Sequence, residues 1–131
     1  MRAPAAATLV VAAVLLAGCS SGNDDAATRT VERLHASLRA GDGAAACQLL
    51  SDEAQQELAE SKQTSCAEAV IAAGIPDTGR VRDVSVYGTA AQVRYAEDVV
   101  FLGEFEDGWR VTAAGCTEAV GAPYDCDVQG G

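Results

Sequence analysis

The spacing of apolar residues changes at about residue 80 and divides the chain into a helical half and a strand half. In the first half apolar residues recur every three or four positions, as at Val31, Leu34 and Leu38, which predicts amphipathic helices. From Arg80 onward apolar and polar residues alternate, as in strands that are buried on one face. Helices followed by an antiparallel meander predict an α+β domain in which the helices cover one face of a four-stranded sheet.

Polar residues and glycines mark where four helices begin and end. The first helix is predicted over residues 26–40, and the third over residues 52–61 with Ala54 and Leu58 buried. Small polar side chains supply the N-terminal caps, and Ser65 with Glu68 fits a capping box. The boundary residues are Asp24 or Asp25 and Gly41 for the first helix, Asp42-Gly43 for the second, Ser51 for the third, and Ser65 and Gly74 for the fourth.

Turn-forming dipeptides separate the four predicted strands. Residues 99–105 form the most apolar strand, which is expected at the centre of the sheet, with Gly103 at a bulge or bend. Asp107-Gly108 is a strong hairpin signal, and residues 109–113 then form the last strand. Residues 115–131 are expected to be a turn-rich tail. The other two turns are predicted at Gly88-Thr89 and Glu97-Asp98.

The N-terminus has the features of a bacterial export signal. A positive start, Met1-Arg2, precedes an uncharged and mostly apolar run of 13 residues, which is too short for a bilayer that needs about 20. The run ends in Leu16-Ala17-Gly18-Cys19, which resembles the lipobox of bacterial lipoproteins. The resemblance implies that the sulfur of Cys19 receives a diacylglyceryl group and that the chain is cut between Gly18 and Cys19.

The lipobox predicts a division of the chain into three segments and a cellular location for the protein. Residues 1–18 form the signal peptide, residues 19–25 a flexible tether, and residues 26–131 a single domain with a disulfide-stapled tail. The expected location is the extracytoplasmic face of the cell membrane, with the lipid on Cys19 as the anchor. The alternative is an ordinary secretory signal peptide in which the cysteine at position 19 is a coincidence.

The net charge of the chain limits the classes of partner that it is expected to bind. The sequence has 19 acidic and 9 basic side chains and a formal net charge of -10. An acidic chain repels the phosphates of nucleic acids, so nucleic acid is not an expected partner. It also repels anionic lipid surfaces, so attachment to a membrane must depend on the lipid anchor.

Five cysteines are present, and one of them is assigned to the lipid. The remaining four allow three disulfide pairings. We favour Cys47–Cys66 and Cys116–Cys126, because the members of each pair are close in sequence and an exported protein meets an oxidising environment. The spacings do not suit a metal or redox site, since the chain has a single histidine and no C-x-x-C motif. No metal ion or cofactor is therefore expected.

Several segments together carry a resemblance to a known superfamily. They are Arg39-Ala40-Gly41-Asp42, residues 44–51, the hairpin at residues 107–111, and the cysteine-bearing tail with Gly115-Cys116 and Tyr124-Asp125-Cys126. The order of elements resembles the nuclear transport factor 2-like (NTF2-like, or cystatin-like) superfamily, and more narrowly its small actinobacterial lipoproteins. The resemblance implies a strongly curved sheet around the N-terminal helices. The wider superfamily often has a strand between its helices, and none is expected here.

Few side chains offer catalytic chemistry. An isomerase of this superfamily would need a carboxylate base and an acidic hydrogen-bond donor, for which Asp98 and Tyr95 are the nearest candidates by residue type. Asp98 lies in a predicted turn beside Glu97, however, and is expected to face water. The single histidine, His35, is expected at the boundary of the apolar stripe rather than as a base or a metal ligand.

The aromatic and basic residues of the strand half can be explained without a functional site. The aromatic side chains are expected to fill the core, although they could instead form a concave pocket for a small apolar ligand or a lipid tail. The arginines could line one sheet face and bind an acid, but Glu104 and Glu106 are close in sequence, so solvated cross-strand pairs are expected instead. The aromatic residues are Tyr87, Tyr95, Phe101, Phe105 and Trp109, and the arginines are Arg82, Arg94 and Arg110.

These observations favour a non-enzymatic binding or interaction module of the bacterial cell envelope. Its partner would be a small apolar ligand or an envelope protein. One alternative is a pocket enzyme of isomerase or dehydratase type, and another is a module without a pocket that forms homodimers through its open sheet face.

Overall fold

A computed structural model describes residues 21–77 and 79–130. The predicted signal peptide, the cleavage site between Gly18 and Cys19, and the lipidation site at Cys19 lie outside these residues. Within them no helix is both long and apolar enough to cross a membrane.

The helical half contains four helices, as the sequence predicts. The first begins at Ser21, earlier than expected, so that most of the predicted tether is helical. Asp24 therefore lies in the first turn of this helix instead of capping it, where a negative charge interacts favourably with the helix dipole. The helices are α1 (Ser21–Arg39), α2 (Gly43–Gln48), α3 (Asp52–Lys62) and α4 (Cys66–Ala72).

The predicted caps of the three later helices are confirmed. The Asp42 carboxylate accepts a hydrogen bond from the Ala45 N–H at 3.0 Å, and the Ser51 hydroxyl accepts one from Ala54 at 3.2 Å. Ser65 accepts from the Glu68 N–H at 3.3 Å, and the Glu68 carboxylate accepts from the hydroxyls of Thr64 and Ser65. These hydroxyls hold the pKa of Glu68 below its usual value. Three helix starts thus have partners for N–H groups that the helices themselves leave free.

The strand half forms one open antiparallel sheet of five strands, so the prediction of four strands is wrong. The strands pair in the order of the chain, and β3 is central, as predicted. Residues 115–129, expected to be a tail, extend β4 and add β5 after a turn at Val120-Gly121. The strands are β1 (Asp83–Tyr87), β2 (Ala90–Arg94), β3 (Val99–Phe105), β4 (Gly108–Ala119) and β5 (Ala122–Gln129).

The bulge of the sheet lies beside Phe101 and not at Gly103. The pairing of β3 with β4 shifts on both sides of Phe101, whereas Gly103 pairs regularly with Arg110. The Phe105 ring packs over Gly103, where any Cβ would lie 3.0 Å from it. On β4 the first of these two shifts lies between Ala113 and Cys116 and includes Gly115, whose φ of 66° is a conformation that glycine adopts without strain.

Aliphatic side chains fill the space between the helices and the sheet. Helix α1 contacts β1, β2 and β4, while α3 contacts β4 and β5. Ala54 and Leu58 are buried as predicted. The largest fully buried aliphatic side chains are Val31, Leu34, Leu50, Val70, Val93, Val100, Val111 and Val128.

A single bridged residue pair connects the segment between α2 and α3 to the sheet. Leu50, between α2 and α3, forms an isolated parallel bridge with Val111 of β4. The Ser51 N–H donates to the Val111 carbonyl, and the Val111 N–H donates to the Leu49 carbonyl, both at 2.8 Å. This bridge joins the helical half to the sheet.

Both predicted disulfides are present. Cys47–Cys66 links α2 to the first residue of α4, with Cα atoms 6.0 Å apart. Cys116–Cys126 links facing positions of β4 and β5, with Cα atoms 4.0 Å apart. Each bond restricts the unfolded chain and contributes on the order of 3 kcal/mol to stability.

The close contact of α2 with α4 leaves no room for a side chain at Gly43. This glycine is buried, and a Cβ there would collide with the backbone carbonyl of Ala67. We expect Gly43→Ala to lower the free energy of unfolding by about 2–3 kcal/mol, as overpacked sites do. Urea denaturation of the oxidised protein measures this. Gly22→Ala is the control, because Gly22 lies in α1 with open space around it, and should leave stability unchanged or raise it by up to about 1 kcal/mol. Equal effects of the two substitutions would contradict the close contact.

Candidate functional site

Three buried polar residues lie near the end of β2, one of them on α1. His35 and Tyr95 are each 4 % exposed, Asp98 is 2 % exposed, and we call these residues the buried polar cluster. The rings of His35 and Tyr95 lie edge to face, with centroids 5.1 Å apart. The Asp98 carbonyl accepts a hydrogen bond from the Tyr95 N–H at 2.8 Å, which closes the turn between β2 and β3.

The cluster contains every buried side-chain polar atom that lacks a hydrogen-bond partner in the described part of the chain. These atoms are His35 Nε2, the Tyr95 hydroxyl oxygen and Asp98 Oδ2. Folded proteins pair nearly all buried polar groups, and exceptions are concentrated where function requires them. The cluster is therefore the first candidate for a functional site.

His35 is buried, so its predicted position at the boundary of the apolar stripe is wrong. It follows Val31 by four residues and therefore lies on the same face of α1, the face that packs against the sheet. Burial lowers the pKa of His35, the Asp77 carboxylate opposes this effect, and the Arg39 guanidinium adds to it. The imidazole is consequently neutral at pH 7.

Tyr95 continues the inward face of β2 beyond the end of the strand. Ala91 and Val93 precede it on the same face, and all three are buried, as the alternation predicts. Burial raises the pKa of Tyr95 to about 12, and the nearby carboxylates of Glu32, Asp98 and Asp77 act in the same direction. The hydroxyl keeps its proton at neutral pH and is a hydrogen-bond donor.

The prediction that Asp98 faces water is wrong. Its Oδ1 accepts a hydrogen bond from the Cys116 N–H at 2.8 Å, beside the Gly115 bulge of β4. Burial raises the pKa of Asp98 to about 6, against the effect of the N–H groups of Cys116, Val99 and Gly115, and the nearby Asp127 carboxylate raises it further. At a bulge some backbone N–H groups have no hydrogen-bond partner on the neighbouring strand. The Asp98 carboxyl group is the acceptor for one of them, the N–H of Cys116.

A groove of about 520 Å³ runs beside the cluster, between α1 and residues 79–81. We call it the His35 groove. Its walls include His35 and Tyr95 together with two residues of each charge, Glu32, Asp77, Arg39 and Arg80. The Arg39 guanidinium donates to Asp77 Oδ2 and holds the pKa of Asp77 below its usual value. His35 Nδ1 lies 3.9 Å from Asp77 Oδ1.

Sequence reasoning missed Asp77. It follows Pro76 in a loop, and the only local signal was that of a turn. Its partner Arg39 is 38 residues away, and no spacing rule connects the two positions.

Only some of the aromatic side chains of the strand half lie in the core. Tyr95 is buried and Trp109 packs against the core, whereas Tyr87 is 74 % and Phe105 47 % exposed. Phe101 is half-buried and meets the Tyr124 ring edge to face at 4.9 Å. The prediction of core packing is thus wrong for Tyr87 and Phe105, because each lies on the strand face opposite the core residues next to it.

The predicted arginine–glutamate pairs are absent from the described residues. Arg110 bonds the Asp107 carboxylate of its own hairpin instead, and its Nη1 donates to the carbonyls of Gln48 at 2.8 Å and Leu50 at 3.2 Å. Arg94 donates to the Tyr124 hydroxyl at 3.3 Å. Arg110 thus bonds its own turn and the carbonyl groups at the end of a helix, whereas Arg94 bonds another side chain of the sheet.

The described residues contain no group of three or more histidine, cysteine or acidic side chains placed to hold a metal ion. No protein-family model matches the chain, and neither the curated proteins nor the solved structures give a significant match.

The burial of Asp98 predicts a pH dependence of stability. Because its pKa rises from 3.8 to about 6, the folded state keeps a proton that the unfolded chain loses first. The corresponding stability is complete below about pH 4 and is lost as the pH rises through 6, up to about 3 kcal/mol. Asp98→Asn cannot ionise and keeps an oxygen for the Cys116 N–H. Relative to wild type, it should therefore gain up to about 3 kcal/mol between pH 4 and pH 7.

Urea denaturation across this pH range measures the difference. His35 acts in the opposite sense, since its lowered pKa gives stability that is lost as the pH falls through its usual value of 6.5. That contribution is common to wild type and variant and cancels in the difference. Asp125→Asn, at an exposed position of β5, is the matched control and should follow wild type. A flat difference curve for Asp98→Asn would show that the carboxyl group does not titrate as its burial requires.

Proposed function

We propose that the chain is a lipoprotein anchored on the outer face of a bacterial cell membrane, where its domain acts as a non-enzymatic binding module. The observation that carries this proposal is the pair of disulfides. Disulfides persist in oxidising compartments, to which an N-terminal export signal would deliver the chain. They use four of the five cysteines and leave Cys19, at the end of the lipobox, for the lipid.

The start of α1 at Ser21 supports a short connection between lipid and domain. In this proposal only Ser20 separates the lipid-bearing cysteine from the helix. The domain would then stay next to the membrane surface instead of moving on a long tether.

We also propose that the domain is a variant of the NTF2-like fold. The order of helices before an antiparallel sheet supports this, and so does the Leu50–Val111 bridge, which lies where the superfamily often has a strand. Aliphatic side chains occupy the interior that a deep apolar pocket would need. Binding would therefore use the surface of the domain, and the His35 groove offers exposed charged side chains of both signs for it.

One observation favours the enzyme alternative. Asp98 has a pKa raised to about 6, which is suitable for acid–base catalysis near neutral pH. A catalytic base must also reach its substrate, however. Asp98 is 2 % exposed and one of its oxygens bonds the β4 backbone. A structural role for this carboxyl group agrees better with its contacts.

The anchoring part of the proposal depends on one sulfur atom. Cells that express the Cys19→Ala chain and receive labelled palmitate should incorporate no label into the protein, since acylation requires the thiol. Ser20→Ala, at the neighbouring position, should be labelled like wild type. Gel fluorography after immunoprecipitation makes the comparison, and label on the Cys19→Ala protein would refute the assignment.

The binding part of the proposal predicts a co-purifying molecule. Full-length protein extracted from its own cell envelope should show a reproducible added mass in native mass spectrometry, besides any acyl groups on Cys19. Peptide mapping separates the covalent from the non-covalent mass. A clean dimer without added mass would instead favour assembly through the open sheet face.

A further inference from the structure

A second cavity is lined by two arginines and, among the described residues, by no acidic side chain. It lies where α1, α2 and α3 meet β4, and its volume of about 570 Å³ is within the range of small-molecule pockets, roughly 300–1,000 Å³. The arginines are Arg33 and Arg110, and we call this space the Arg33 cavity. In a chain with 19 acidic and 9 basic side chains, a cavity wall of this composition favours anions.

The two arginines differ in how far their charge is compensated. Arg33 is exposed on α1, and none of the ion pairs among the described residues includes it. The Arg110 guanidinium bonds the Asp107 carboxylate, which raises the pKa of Arg110 and offsets its charge. The cavity therefore offers one uncompensated guanidinium group, which matches a ligand with a single negative charge.

A guanidinium group with one uncompensated charge favours a carboxylate among the common anions. Arginine presents N–H donors in a planar fork that fits the two oxygens of a carboxylate, and such bidentate pairs are stronger than hydrogen bonds between neutral groups. A carboxylate carries one negative charge, whereas a phosphate monoester carries about 1.5 to 2 at pH 7 and exceeds the charge of Arg33. Neutral and cationic ligands form no ion pair with this side chain.

The other walls of the cavity suit a ligand with an aliphatic part. Ala36 of α1, Ala45 of α2 and Leu49 provide aliphatic surface, while Ser37 and Gln48 add uncharged polar groups. None of these side chains repels an anion, and the aliphatic ones gain free energy when they are covered by apolar groups.

We propose that the Arg33 cavity binds a small organic carboxylate, with the carboxylate group on the Arg33 guanidinium and the aliphatic part against the alanine and leucine walls. The site goes beyond the proposed function, since it shares no lining residue with the His35 groove. The net charge of -10 repels anions at long range, so binding depends on the close contact with Arg33 and disfavours ligands of higher negative charge.

A titration of the isotope-labelled full-length chain tests the ligand class. The protein is kept in a non-ionic polyoxyethylene detergent at constant ionic strength, and sodium butyrate is the probe. Amide signals of residues 33–37 and 45–49 should shift and saturate at millimolar concentrations. Butyramide, which has the same shape without the charge, and butylammonium chloride should bind at least about tenfold more weakly, since they form no charge-assisted pair with arginine. Sodium phosphate should also bind more weakly. Absence of saturation with butyrate, or equal saturation with any of the other three compounds, would overturn the proposal.

Two arginines on the same helix locate the site. Arg33→Gln removes the guanidinium group from the cavity and should weaken butyrate binding about tenfold. Arg29→Gln removes the same charge one turn earlier on α1, at an exposed position outside the cavity lining, and should bind like wild type. Both positions are exposed, so both variants should fold. Equal weakening in the two variants, or unchanged affinity in Arg33→Gln, would overturn the role of Arg33.

The Arg33 cavity and the proposed binding function can fail independently. If native mass spectrometry shows an added mass but butyrate does not bind, the carboxylate site is wrong and the binding function stands. Saturable butyrate binding that is lost in Arg33→Gln supports the site even where the envelope extract shows no added mass.

Discussion

The pairing of Leu49 and Ser51 with Val111 fixes how the helical half sits on the sheet. Two backbone hydrogen bonds of 2.8 Å run in opposite directions between a short link of α2 to α3 and the middle of β4. Arg110 reinforces them, since its guanidinium donates to carbonyls at the end of α2. Leu49, Ser51 and Val111 are buried, and a buried backbone group without a partner is costly, so these two hydrogen bonds favour one position of the link.

The positions of the four helices depend on this junction. Ser51 both bonds β4 and caps α3, which directs that helix toward β4 and β5. The disulfide between Cys47 and Cys66 holds α4 against α2, and the absence of a side chain at Gly43 permits the close approach. With α2 and α4 in place, α1 lies across β1, β2 and β4, and His35 meets Tyr95.

Local features of the sequence predicted local structure well. The caps at Asp42, Ser51 and Ser65 and the two disulfides are confirmed, because each depends on residues close in sequence. The fifth strand was missed because its segment contains a proline and several acidic residues, which are typical of turns. Pro123 is tolerated because β5 is an edge strand, and the disulfide holds that strand to β4.

The candidate site could not be predicted in the same way, because its partners come from distant parts of the chain. The Asp98 side chain was expected to be exposed to solvent. It is buried, and its partner there is the N–H of Cys116, which lies 18 residues later in the chain. His35 shares a helix face with Val31, but its neighbour Asp77 comes from the loop after α4. Residue type indicated that Tyr95 and Asp98 could be functional, whereas only the tertiary fold shows which of their atoms lack partners.

Burial has a common effect on the three residues of the buried polar cluster, because it disfavours the charged form of each. Desolvation keeps His35 neutral, keeps the proton on Tyr95, and raises the pKa of Asp98. Any gain of charge by these side chains has to overcome the cost of holding a charge away from water. His35 also lies 14 residues beyond the start of α1 at Ser21, or about 20 Å along the helix. If Cys19 carries the anchor, this length of helix separates the His35 groove from the lipid-bearing residue.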